Sequence, residues 1–116
     1  MEDSSAELAW AAGFFEQGGC TTRSSGRARV AVKQAVESLG LPPPNELVQF
    51  ASALGCGVIR GPYTERHRDG RRRKPIYYWY ADGEERSVEA ISRLWPFLST
   101  FKRVQAKRVL GKLLLP

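Results

Sequence analysis

The sequence predicts an α+β fold in which a helix and a β-hairpin occur twice in succession, closed by C-terminal helices (αββαββα). Three observations predict it. Apolar residues recur at helical spacing in several segments. Other segments alternate apolar with polar residues or concentrate aromatic β-formers. The breaks between them fall on Gly, Pro, Ser and Asp. With 116 residues, 42% hydrophobic and 26% charged, the chain has the size and balance of a single globular domain, expected to span 1–116.

Each element has its own local reason. Ser4-Ser5-Ala6-Glu7 has the form of a capping box and predicts a first helix over 5–16, carrying Leu8, Trp10, Phe14 and Phe15 and stopped by Gly18-Gly19. Strands are expected over 20–23 and 27–34, joined by Ser24-Ser25-Gly26 as a turn. In the second strand Arg27, Arg29, Ala31 and Lys33 point one way and Ala28, Val30 and Val32 the other, so one face is wet and cationic and the other packed. Leu41-Pro42-Pro43-Pro44 breaks the chain, and Asn45 is the expected N-cap of a helix over 46–54 ended by Gly55. A third strand follows over 57–61, then a basic loop, then a strong aromatic strand over 75–81 turned by Asp82-Gly83. Helices are expected over 87–94, ended by Trp95-Pro96, and over 99–115. Two hairpins in one antiparallel sheet, with helices behind, leave the other sheet face open.

Charge narrows the function. A formal charge of +6 and a pI near 9.7 favour a polyanionic partner, nucleic acid or an anionic surface. No apolar run is long enough to span a bilayer, and the acidic opening Met1-Glu2-Asp3 is unlike a secretory leader, so no membrane partner and an intracellular location are expected. Cys20 and Cys56 fit no metal-ligand spacing and read as reduced packing residues, with a disulfide between them as the alternative. Arg27, Arg29 and Lys33 are the leading candidates for contacts to a duplex, with Thr21 and Arg23 on the neighbouring strand and Arg60 on the third expected to join them. Arg66, Arg68, Arg71, Arg72, Arg73 and Lys74 form a hairpin tip expected to grip phosphates; a solvated loop or a localisation signal is the plainer reading of such a run.

The segment Leu8-Ala9-Trp10-Ala11-Ala12-Gly13-Phe14-Phe15-Glu16-Gln17-Gly18-Gly19 resembles the signature helix of the LAGLIDADG homing endonucleases. Ala12-Gly13 stands on the motif's Ala-Gly, Phe14-Phe15 on its two apolar residues, Glu16 on its first acid and Gly19 on its closing Gly. Val32-Lys33-Gln34 resembles the end of the family's second strand, Tyr77-Tyr78-Trp79 a fourth-strand pattern, and Leu94-Trp95-Pro96-Phe97-Leu98 with Lys102-Arg103-Val104-Gln105-Ala106 the closing stretch. The resemblance implies a saddle-shaped sheet laid against double-stranded DNA, with Tyr78 and Tyr80 facing the groove if Tyr77 and Trp79 pack inward. It implies a homodimer that pairs two first helices through the small residues Ala9, Ala12 and Gly13, which sit at helical spacing.

The resemblance also implies an activity, Mg²⁺-assisted phosphodiester hydrolysis at an intron or intein target site, with Gln34 and Lys102 near the phosphate. The motif's second acid holds the metal, and here that place is Gly18, which has no side chain. Glu16 is two residues earlier, about 200° around a helix, and is a weak substitute. The expectation is therefore a duplex-binding homodimer with cleavage weakened or lost. The alternatives are a working Mg²⁺-dependent endonuclease and an RNA-binding splicing helper.

Overall fold

The computed structural model describes residues 5–64 and 73–114. Ser4, the first residue of the expected capping box, lies outside them. The elements run α1 (Ser5–Gly18), β1 (Gly19–Ser24), β2 (Arg27–Ala35), α2 (Asn45–Leu54), β3 (Val58–Tyr63), β4 (Ile76–Asp82), α3 (Glu84–Leu94), a short 3-10 turn (Trp95–Phe97), α4 (Thr100–Leu110) and a second 3-10 turn (Gly111–Leu114). The four strands form one antiparallel sheet in the order β1-β2-β4-β3. The α+β class and the helix–hairpin repeat stand as the sequence predicts.

The helices cover one face of the sheet. Ala28, Val30 and Val32 from β2 and Tyr77, Trp79 and Ala81 from β4 are buried beneath them. Phe50 of α2 is the centre of the contact: it meets Trp79 edge-on with ring centroids 5.0 Å apart and lies parallel to Phe15 of α1 at 6.4 Å. The indole N–H of Trp79 donates to the Cys56 carbonyl at 3.0 Å, so the core's largest side chain is also satisfied. Two glycines make room for these rings. A Cβ at Gly19 would stand 2.1 Å from Phe15, and one at Gly57 would stand 2.5 Å from the Trp79 indole.

Several boundaries differ from expectation, each for a local reason. α1 runs two residues further, to Gly18, and β1 begins directly at Gly19. Asn45 is the first residue of α2 rather than its cap; Pro44 holds the cap position and makes no side-chain bond there. Proline tolerates a first-turn place because its missing N–H would be unpaired anyway. α3 starts at Glu84, three residues early, since two acids, Glu84 and Glu85, suit a helix N-terminus. α4 stops at Leu110 because Gly111 takes a φ of 56°. Among the described residues no helix is long and apolar enough to cross a membrane, and both cysteines are free.

The hairpin turn carries the most consequential difference. Ser25 and Gly26 both have positive φ, 53° and 76°, as a two-residue type I′ turn requires. Ser24 therefore pairs with Arg27, and Thr22 with Arg29. A three-residue turn over Ser24-Ser25-Gly26 would have paired Arg23 with Arg27. The one-residue slip exchanges the two faces of β1.

Because Trp79 touches the helix layer and the sheet at once, its removal is expected to be severe. Trp79→Ala is predicted to cost about 3–5 kcal/mol, read as a lower urea midpoint at unchanged slope.

Candidate nucleic-acid interface

The open face of the sheet is built row by row from the register. Thr22, Arg29 and Asp82 lie across it in one row; Cys20, Ala31, Tyr80 and Val58 in the next; Lys33, Tyr78 and Arg60 in the third. Arg27 extends the first row toward the turn. Arg27, Arg29, Lys33 and Arg60 are all exposed, so four of the expected cations share one surface. Tyr77 and Trp79 pack inward, which turns Tyr78 and Tyr80 outward. Those two rings are stacked, 5.4 Å apart and 4° from parallel, and Tyr63 leans on Tyr78 at 5.8 Å. The Arg29 guanidinium lies 4.4 Å over the Tyr80 ring. Burial against these neighbours pushes the Tyr80 phenol up, so it stays neutral at physiological pH.

Thr21 and Arg23 do not belong to this surface, which corrects the expectation. Thr21 is 3% exposed on the helix side, and its amide approaches the Gln105 side chain at 3.4 Å. Arg23 reaches back to Glu84 and donates to the Val109 carbonyl at 2.8 Å, tying the hairpin to α3 and α4. In their place the strand offers Cys20, Thr22 and Ser24. Asp82 was also missed: it is the one carboxylate among the described strand residues of the open face. Its Oδ1 meets Arg27 Nε and Arg29 Nε, each at 3.3 Å. The bond from Arg29, aided by the Arg27 charge, holds the Asp82 carboxyl below the usual carboxylate range. The ion pairs are therefore intact at all pH values above that range, and are lost only as pH falls through the lowered value.

Of the basic tip, Lys74 pairs with Glu37 at 2.8 Å and Arg73 is exposed. Arg66, Arg68, Arg71 and Arg72 lie outside the described residues.

A second group of residues meets at the C-terminal end of α1. Glu16 accepts from the Ser99 amide at 2.7 Å and from the Ser99 hydroxyl at 2.8 Å. Ser99 in turn caps α4, its Oγ accepting from the Lys102 amide at 3.2 Å. The Lys102 side chain folds back, and its ammonium donates to the Gly19 carbonyl at 2.5 Å, beside the Phe15 ring. Lys102 is only 9% exposed, and among the described residues no carboxylate pairs with it. A cation is electrostatically at home there, because the end of a helix carries partial negative charge. Gln34 is not brought to this point; it turns toward α2, where its amide donates to Glu46 at 3.4 Å.

The residues at this end do not fit a divalent cation. Gly18 offers no ligand, both Glu16 oxygens are taken by Ser99, and the described residues contain no cluster of three metal-binding side chains. Glu16, the weak ligand candidate, stands here as a brace between α1 and α4. The space at Gly18 is nevertheless open to an acid. A Cβ there would meet Lys33 O at 3.5 Å and Val32 Cγ1 at 4.0 Å, ordinary contacts.

The small residues of α1 divide. Ala12 is 1% exposed and packs into the chain's own core, so it is withdrawn from the expected helix–helix face. Ala9 and Gly13 are exposed, and nothing lies within 4 Å of a Cβ placed on Gly13.

Two crystal structures of the homing endonuclease I-CvuI superpose on 95% of this chain and 67% of their own. One is in complex with the I-CreI target in the presence of Mg with the DNA not cleaved, at a TM-score of 0.64 and 24% identity. The other is in complex with its own target in the presence of Ca, at a TM-score of 0.65 and 25% identity. The fold is that of the LAGLIDADG homing endonucleases. No family model and no curated protein matches the sequence. The likeness in this LAGLIDADG fold extends over 95% of the chain, while pairwise identity is low.

Glu16→Ala is predicted to cost about 1–2 kcal/mol, since the Ser99 amide and hydroxyl lose a charged acceptor. Adding Mg²⁺ to the wild type is predicted to leave the melting midpoint in place. A midpoint that rises with Mg²⁺ and no longer does so in Glu16→Ala would return Glu16 to the ligand role.

Proposed function

We propose that the chain binds a long double-stranded DNA site as a homodimer through the open face of its sheet, with phosphodiester cleavage weakened or lost. One observation carries the binding half: Arg27, Arg29, Lys33 and Arg60 stand exposed on one uncovered sheet face in a fold whose solved neighbours are DNA complexes. Cations at this spacing meet phosphates and base edges of a duplex, and the tyrosines between them supply apolar contact. Each phosphate met releases about one counterion, so affinity falls with salt.

The homodimer is supported by the exposed small residues Ala9 and Gly13, where a second helix could approach closely. Phe97 and Phe101, 38% and 72% exposed, offer further apolar area on the helix layer. The weakness in cleavage follows from chemistry: without an acid at Gly18, and with Glu16 bonded to Ser99, no side chain at the end of α1 holds a divalent cation. Lys102, buried beside the helix end and bonded to the Gly19 carbonyl, adds positive potential toward a phosphate there.

The test combines sedimentation with and without duplex DNA and a cleavage assay with Mg²⁺. The wild type is predicted to run as a dimer, to bind duplex with salt-sensitive affinity, and to cleave little. Gly18→Asp, which the structure accommodates, is predicted to raise Mg²⁺-dependent cleavage at least about ten-fold. Monomers indifferent to duplex at low salt overturn the binding half. Efficient cleavage by the wild type, or no rise in Gly18→Asp, overturns the catalytic half. Preference for structured RNA over duplex points to the splicing-helper reading.

A further inference from the structure

We infer that Arg29 and Asp82 form one reading unit that selects a G·C base pair in the major groove. The inference rests on the proposed function, that the open sheet face lies against a duplex. Its starting point is an anomaly: a carboxylate on a face otherwise suited to a polyanion.

Arg29 and Asp82 are direct cross-strand partners. The contact uses one nitrogen and one oxygen: Arg29 Nε meets Asp82 Oδ1 at 3.3 Å. The same Oδ1 takes Arg27 Nε at 3.3 Å, so one carboxylate is shared by two guanidinium groups and the local charge stays positive. The Tyr80 ring lies under Arg29, its centroid 4.4 Å from the guanidinium carbon, and Tyr78 stacks on Tyr80 in turn. Arg29 is thus held at Nε and across its face. Among the described residues its two terminal nitrogens make no hydrogen bond, and neither does Asp82 Oδ2.

What remains on offer is a pair of parallel donors beside an acceptor. A G·C pair presents the complement in the major groove: guanine O6 and N7 accept, and the cytosine N4 amino group donates. An A·T pair presents an acceptor, thymine O4, where cytosine has its donor, so Asp82 meets it with repulsion. The carboxylate therefore selects by rejection as well as attraction. It also removes some of the indiscriminate phosphate attraction that two free arginines would add. The arrangement costs little reorganisation, because Asp82 and Tyr80 already restrain Arg29 before DNA arrives.

The experiment selects binding sites from a randomised duplex pool with the wild type, Asp82→Asn and Arg29→Lys, then measures competition among single-position variants. The wild type is predicted to require G·C at one position of each half-site. Asp82→Asn is predicted to lose that discrimination about ten-fold or more, at that position alone, while binding of unrelated duplex stays equal or rises. Arg29→Lys keeps the charge and is predicted to relax the same position. Both side chains are partly exposed, so urea midpoints close to the wild type are expected and check that the variants fold. If the wild type selects a site but the variants keep its base preferences, or lose preference evenly along it, the reading unit is wrong and duplex binding stands. If the wild type selects no duplex at all, the proposed function fails first and the unit with it.

Discussion

Burial of Ala28, Val30, Val32, Tyr77, Trp79 and Ala81 under the helices is the constraint on which the rest depends. Strand side chains alternate strictly, so committing these six to the core commits Arg27, Arg29, Lys33, Tyr78, Tyr80 and Asp82 to the other face. The cationic surface is thus a consequence of core packing. Phe50 and Phe15 hold the helix layer to that core through Trp79, and Gly19 and Gly57 are small because those rings leave no room for a side chain. A change that loosened the Trp79 contact would disturb the register of β4, and with it the placing of the outward tyrosines.

At the end of α1, Glu16 is part of the scaffold, bonded to Ser99 at the cap of α4, and the same cap orients the turn from which Lys102 reaches Gly19. A buried ammonium that meets no carboxylate among the described residues is unusual in a stable core, because desolvation disfavours a charge. Here the helix terminus and the Gly19 carbonyl supply compensation in part. The structure thus holds a charged group, Lys102, where α1, β1 and α4 meet.

Much of this was legible in the residues. The second strand alternates so cleanly that its two faces were readable, and the aromatic fourth strand offered two registers of which the core accepts one. Helix ends were less legible, since capping by Pro44 or termination at Gly111 depends on backbone angles the letters do not specify. The face of β1 was misread for the same kind of reason: Ser25-Gly26 as a two-residue turn and Ser24-Ser25-Gly26 as a three-residue turn look alike in sequence, yet they place Thr21 and Arg23 on opposite sides. Asp82 passed as a turn residue beside Gly83, and only the pairing with Arg29 reveals its place among cations. The roles of Glu16 and Ala12 were hidden by long-range contacts, one to Ser99 and the other to the core.

The most direct test of the central claim asks which side of the sheet meets DNA. Lys33 is exposed on the open face and Lys107 is exposed on α4 in the helix layer, so the two report on opposite sides. Acylation of lysines, mapped by mass spectrometry with and without bound duplex, compares them in one sample. The account predicts that duplex shields Lys33 and leaves Lys107 as reactive as before. Shielding of Lys107 with Lys33 unchanged would contradict it.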